Sequence, residues 1–248
     1  GSFGRVKIGK QKSTGKYFAI KILKKSEIIK LKQVDHIMNE VKILSVIDHP
    51  FLIKTEGFSQ DDRYLYLVLD LINGGELFTY LRSVGKFSCD HSTFYAAQVC
   101  LMFEYLHSKD IIYRDLKPDN ILLDAEGHAM LTDFGLSKED VPEYLNGAKS
   151  FCGSVAYLAP EMLKRMGHGK AVDWYLLGVV LYEMMVGTPP YYADSKEQLF
   201  ENIEKAQLKL PSTLSAELRS LLKLVLCGLN VAAKQKSCKK TRIWSNRS

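Results

Sequence analysis

The hydrophobic pattern of this 248-residue chain changes period at Asn73-Gly74-Gly75, and that change points to a two-part α+β architecture. Before the glycines, Phe3–Gly9 and Tyr17–Leu23 gather β-formers around a turn at Ser13–Gly15, and Tyr64–Leu71 is an apolar run without breakers. Between them, Ser26 to Ile47 has helical spacing, with Ile37, Val41, Leu44 and Ile47 on one stripe. After the glycines, Glu76–Val84, Cys89–His107, Val172–Val186 and Ser195–Ala206 predict helices. Ile111–Asp133 predicts short strands and turns. Phe134–Glu161 is a long stretch with no period, which inside a compact domain marks function. The expectation is a small sheet-rich lobe over residues 1–72 and a larger helical lobe over 73–230.

Composition narrows the classes. Hydrophobic residues make up 46% and charged residues 25%, which excludes disordered, collagen-like and membrane chains. The net charge of +6 is too mild to imply a nucleic-acid partner, and part of it sits in Lys234, Lys236, Lys239, Lys240, Arg242 and Arg247. The five cysteines are odd in number and form no C-x-x-C pair, so neither a disulfide framework nor a zinc site is expected. The longest apolar run, Leu176 to Gly187, carries Glu183 and is too short to span a bilayer. These features predict a cytoplasmic or nuclear protein with no membrane span.

The chemistry-bearing residues come in a fixed order. Gly1-Ser2-Phe3-Gly4-Arg5-Val6 suits a loop whose N–H groups approach phosphates, although such glycines also occur in plain hairpins, and no Gly-Lys-Ser/Thr follows to make a P-loop. Lys21 lies in an apolar strand, where an ammonium needs a partner; Glu40 on the next helix is the candidate, against the plainer reading of a solvated surface pair. Tyr113-Arg114-Asp115-Leu116-Lys117-Pro118-Asp119-Asn120 brings a base, a cation and a metal ligand to one loop. Asp133-Phe134-Gly135 then adds a second oxygen ligand of the kind Mg²⁺ prefers. Alone, Asp-Phe-Gly reads as a polar turn; the whole set in this order does not.

On Ala19-Ile20-Lys21, Tyr113-Arg114-Asp115 with Asn120, Asp133-Phe134-Gly135 and Ala159-Pro160-Glu161, the chain resembles the eukaryotic protein kinases over nearly its whole length. More narrowly it is similar to the AGC group, through Tyr-Arg-Asp, Gly74-Gly75-Glu76-Leu77-Phe78 and Phe151-Cys152-Gly153-Ser154. Lys32-Gln33-Val34-Asp35-His36 looks like the cAMP-dependent branch, and Asp133–Lys138 like the protein kinase B-like branch, which leaves the subgroup open.

The resemblance implies a bilobal fold with an antiparallel-sheet N-lobe and a mainly helical C-lobe, using ATP and Mg²⁺. Gly1 and Gly4, with Ser2 and Phe3, would cover the phosphates. Val6, Ala19, Leu69, Leu122 and Thr132 would line the adenine slot, with the backbone of Asp70 and Ile72 bonding the base and Glu76 near the ribose. Lys21, oriented by Glu40, would hold the α- and β-phosphates. Asn120 and Asp133 would bind Mg²⁺, Asp115 would receive the substrate proton and Lys117 would steady the γ-phosphate. Asp173 would tie the catalytic loop to the helical lobe. Ser150, facing His36 and Arg114, would be an activating phosphosite for an upstream kinase. Glu76, Asp119, Ser154 and Glu183 would meet the protein substrate, with arginine favoured upstream of its Ser or Thr. A regulatory subunit is a further expected partner.

Departures from the family pattern lie at the ends. The chain opens on the second glycine of the loop. At the other end Lys234 stands where an arginine usually pairs with Glu161, and residues 231–248 form a divergent tail, so an incomplete domain is expected. Ala156 replaces a common glutamate. Competing readings are a catalytically silent kinase-like binding module, which would normally have lost one of Lys21, Glu40, Asp115, Asn120 or Asp133, and a small-molecule phosphotransferase, which would lack Ala159-Pro160-Glu161 and the segment before it.

Overall fold

The computed structural model describes residues 4–139, 141, 155–164 and 167–227. The N-terminal part is a four-stranded antiparallel sheet in the order β1-β2-β4-β3, from β1 (Gly4–Lys10), β2 (Tyr17–Lys24), β3 (Thr55–Gln60) and β4 (Tyr64–Asp70). Register sets its functional face. Val6 lies opposite Lys21 and Lys21 opposite Leu67; Ile8 lies opposite Ala19 and Ala19 opposite Leu69. Directly opposed residues share a face, so these six form two rows on one side of the sheet.

The single helix expected over 26–47 is two. α1 (Lys25–Lys30) ends at Leu31, and α2 (Val34–Val46) starts after Lys32 takes a left-handed φ of 53°. The buried stripe of α2 is Ile37, Glu40, Ile43 and Leu44, so a carboxylate is carried inward among aliphatic side chains.

The Gly-Gly junction is a packing device. A Cβ on Gly74 would stand 2.4 Å from the Leu123 carbonyl oxygen, and Gly74 N–H bonds that same oxygen at 2.8 Å. Only glycine lets this strand-like stretch lie so close to β5 (Ile121–Leu123), which pairs with β6 (Ala129–Leu131). On the other side, Ile53 N–H bonds Leu131 O at 3.0 Å and Leu131 N–H bonds Phe51 O at 2.9 Å, stitching the end of the α2 region to β6.

The C-terminal part contains α3 (Leu77–Val84), α4 (Cys89–Ser108), α5 (Pro160–Leu163), α6 (Ala171–Val186), α7 (Lys196–Lys205) and α8 (Ala216–Leu226). Serines cap α4, α7 and α8: Ser88, Ser195 and Ser215 each accept a first-turn N–H. α6 is buried on all sides, with 13 of its 16 residues out of solvent, which fits a helix apolar around its whole circumference. It ends at Gly187, whose φ of 95° is left-handed. One continuous apolar core runs from Leu23 and Leu67 in the sheet to Leu222 and Leu226 in α8. Among the described residues no helix is long and apolar enough to cross a membrane.

Candidate active site

Lys21 projects from β2 into the space under the sheet. Its Nζ is 2.6 Å from Glu40 Oε1 on α2 and 3.7 Å from Asp133 Oδ1, just past β6. Burial alone would lower the Lys21 pKa, but Glu40 and then Asp133 hold it above its ordinary value, so the ammonium stays charged. Burial raises the Glu40 carboxyl, against the pull of Lys21. Asp133 itself is strained and open: its φ is 56°, Gly135 N–H bonds its Oδ1 at 3.3 Å, and its side chain is 53% exposed.

The second group of residues sits on the loop between α4 and β5. Asp115 is buried, with Lys117 Nζ 3.0 Å from Oδ2. Asn120 Nδ2 donates to the Asp115 backbone oxygen and to Oδ2, both at 2.8 Å. Burial pushes the Asp115 pKa up, opposed by Lys117 and Asn120. With its nitrogen fixed on Asp115, Asn120 turns its amide oxygen away from that carboxylate. An amide oxygen and an exposed carboxylate form a donor set that fits a hard divalent cation.

Asp173 shapes this loop from below. Wholly buried at the start of α6, it accepts from Tyr113 N–H at 2.9 Å and Arg114 N–H at 2.8 Å, and contacts His107 Nε2 at 2.7 Å. Those bonds hold Arg114 in a left-handed φ of 69°. Above, the Tyr113 hydroxyl donates to Thr132 O, and Thr132 N–H bonds Asn120 O at 3.0 Å, which joins the loop to the residue before Asp133.

The remaining expected residues are spread around this centre. Val6 is 66% exposed on the functional face of the sheet, Leu69 is buried, and Ala19, Ile72, Leu122 and Thr132 are half-buried. Asp70 N–H is committed to Lys54 O at 3.0 Å, so only its carbonyl could serve a ligand. Gly1, Ser2, Phe3, Ser150, Ser154 and Lys234 lie outside the described residues. Arg114 Nε bonds Leu136 O at 2.7 Å, and His36 Nδ1 is 2.6 Å from Gln33 Oε1.

Glu76 and Asp119 are exposed, whereas Glu183 is 2% exposed and takes a 2.7 Å bond from the Tyr157 hydroxyl. The sequence suggests that a carboxylate in α6 has no packing reason; the structure supplies one in Tyr157. Burial raises the Glu183 pKa, Tyr157 and Arg82 lower it, and Asp119 raises it, so Asp119 lies within electrostatic reach. Sequence reasoning missed Tyr157 and Arg82 here, and no local signal pairs either with Glu183. It also missed His168, whose two ring nitrogens are buried without a hydrogen-bond partner and whose pKa burial and then Arg114 hold down to about 4.

An antiparallel sheet with two helices and a mainly helical second lobe, with a lysine, two aspartates and an asparagine gathered between them, make up a fold of the protein kinase type. The chain belongs to the protein kinase domain family, whose pattern it matches over residues 1–232. Relatives of the AGC group stand behind that assignment. The chain is 45% identical over 226 residues to the mouse (Mus musculus) cAMP-dependent protein kinase catalytic subunit PRKX, covering 91% of this chain and 62% of that one. It is 46% identical to cAMP-dependent protein kinase type 3 of Saccharomyces cerevisiae, over 91% of this chain and 56% of the yeast protein. To human (Homo sapiens) Serine/threonine-protein kinase Sgk2 it is 46% identical over 228 residues, 91% of this chain and 62% of the human one. The chain thus spans between 56% and 62% of the length of these three relatives.

Proposed function

We propose that this chain transfers the γ-phosphoryl group of Mg-ATP to serine or threonine hydroxyls of protein substrates. The observation that carries the reading is the Lys21 ammonium, held between Glu40 at 2.6 Å and Asp133 at 3.7 Å. In this reading Lys21 grips the α- and β-phosphates and Glu40 fixes its direction. Residues 1–4 cover the phosphates. Val6, Ala19, Leu69, Leu122 and Thr132 line the adenine slot, the Asp70 carbonyl and Ile72 N–H meet the base edge, and Glu76 lies near the ribose.

Asn120 and Asp133 would hold Mg²⁺, which when bound offsets charge on the phosphate oxygens. Asp115 orients the acceptor hydroxyl and takes its proton; burial favours the protonated carboxyl, which suits a base that must end the step holding a proton. Lys117, 3.0 Å from Asp115, steadies the transferring group. Little covalent work falls to the protein, since placement and cations lower the barrier.

Asp119 and Glu183, with Glu76 nearer the nucleotide, would favour arginine two and three residues before the acceptor, because a guanidinium meets carboxylates with paired hydrogen bonds. With Ala156 in place of a glutamate, selection for arginine further upstream would be weaker. A peptide array decides this: indifference to upstream arginine refutes the substrate reading.

The function itself is tested with Asp133→Asn. This variant keeps the side-chain shape and the Gly135 N–H contact but removes the charge. Phosphoryl transfer should fall at least about a thousandfold with the melting temperature unchanged, on the scale of losing a metal-centred charge in a phosphoryl-transfer site. Near-normal turnover in the variant defeats the assignment. ATP binding without turnover in the wild type would instead favour a silent binding module.

A further inference from the structure

Three consecutive residues, Ser137, Lys138 and Glu139, are held from two sides, by α2 and by the catalytic loop. The Ser137 carbonyl accepts Asn39 Nδ2 from α2 at 2.5 Å, and Glu139 is ion-paired with Lys42 of the same helix. Lys138 faces the other way, exchanging both backbone hydrogen bonds with Ile112 at 2.9 Å each. Ile112 immediately precedes the Tyr113–Asn120 loop.

A trans peptide sends its carbonyl and its N–H to opposite sides, so the Ser137 carbonyl meets α2 while the Lys138 N–H meets Ile112. The Ser137 hydroxyl also donates to Tyr113 O at 3.3 Å, which ties residue 137 to the loop as well. On α2, residues three apart are surface neighbours, so Asn39 and Lys42 present an amide and an ammonium side by side. Glu40, the partner of Lys21, lies between them in sequence. A slide or rotation of α2 that takes Glu40 off Lys21 must therefore also break the contacts at Ser137 and Glu139. The pair is asymmetric: the Glu139 side chain is 11% exposed and that of Lys42 is 63% exposed. Glu139 has lost most of its water, so leaving it without its cation costs more than breaking a fully solvated pair.

We propose that Lys42 and Glu139 are positioning residues for phosphoryl transfer. In this view residues 137–139 act as a splint fixing α2, and through it Glu40 and Lys21, to the loop that carries Asp115. The proposal rests on the reading that Lys21 and Glu40 serve that transfer. Neither Lys42 nor Glu139 touches a reacting group.

The test is charge exchange in the full chain, read in two ways. Lys42→Glu and Glu139→Lys should each lower kcat by about five- to tenfold, with a smaller change in KM for the peptide, whereas Lys42→Arg should retain activity. Independently of turnover, amide hydrogen exchange across Val34–Val46 should speed up in both single variants. The double exchange, Lys42→Glu with Glu139→Lys, should restore both readouts. Wild-type kcat in the single variants, or a double variant no better than either single, overturns the proposal. If Asp133→Asn proves as active as wild type, the kinase reading fails, and unchanged α2 exchange in the single variants separately refutes the splint.

Discussion

Glu183 carries an ionisable group into the most buried helix of the molecule, with the Tyr157 hydroxyl at 2.7 Å as its hydrogen-bond donor. Because its folded-state pKa is raised, chiefly by burial, its contribution to stability is complete below its unfolded pKa and is lost as pH rises through the folded value. Glu183→Gln keeps an oxygen to accept from Tyr157 but has no ionisation to lose. The variant should match the wild type in melting temperature near pH 4 and exceed it at pH 7. Thermal unfolding at the two pH values checks this; a variant less stable than wild type at pH 7 would mean that attraction to Arg82, not burial, governs the site. The sequence supplied the carboxylate and its apolar helix. It could not supply Tyr157, 26 residues away in sequence and paired only by packing.

Among the elements, β3 and α8 escaped the sequence reading, each for a physical reason. Thr-Glu-Gly-Phe-Ser-Gln has little β-forming tendency, and it becomes β3 because β4 offers it a partner edge, with a register shift between Thr55 and Gly57. α8 buries only Leu222 and Leu226, one turn apart, so its periodic signal is short. The break between α1 and α2 was likewise hidden, because helical spacing continues across a single left-handed residue, Lys32. α8 packs on α6 through a glycine: a Cβ on Gly178 would lie 2.5 Å from Val225 Cγ2 and 3.0 Å from Leu226 Cδ2. Gly178→Val should therefore destabilise the protein by about 2–3 kcal/mol through overpacking, despite removing a glycine from a helix. Denaturant unfolding measures it, and equal or greater stability would show that α8 is free to shift outward.

For the whole molecule, Asp173 is where the helical core and the catalytic loop are joined. One carboxylate accepts two backbone N–H groups of that loop, at 2.9 and 2.8 Å, and contacts His107 as well. An asparagine has one oxygen to offer and must turn its amide nitrogen toward a donor. Asp173→Asn should cost about 2–4 kcal/mol of stability and lower kcat together with it, since the loop loses its anchor. Chemical denaturation and steady-state kinetics on the same preparation test this, and loss of activity at unchanged stability would make Asp173 a reacting group instead.

What the amino-acid sequence determined by itself is local: the order of chemical groups from Lys21 to Asp133, the strand and helix periods, and the Gly-Gly break between two kinds of structure. These depend on residue type and near-neighbour spacing, which a linear chain already contains. What tertiary structure alone decided is which groups meet. Asn39 reaches Ser137 across 98 residues and His107 reaches Asp173 across 66. Lys21 finds both Glu40 and Asp133 only after the sheet, α2 and β6 have closed on one core. Such contacts are fixed by the burial of the whole apolar surface, a property of the closed chain that no segment of it carries.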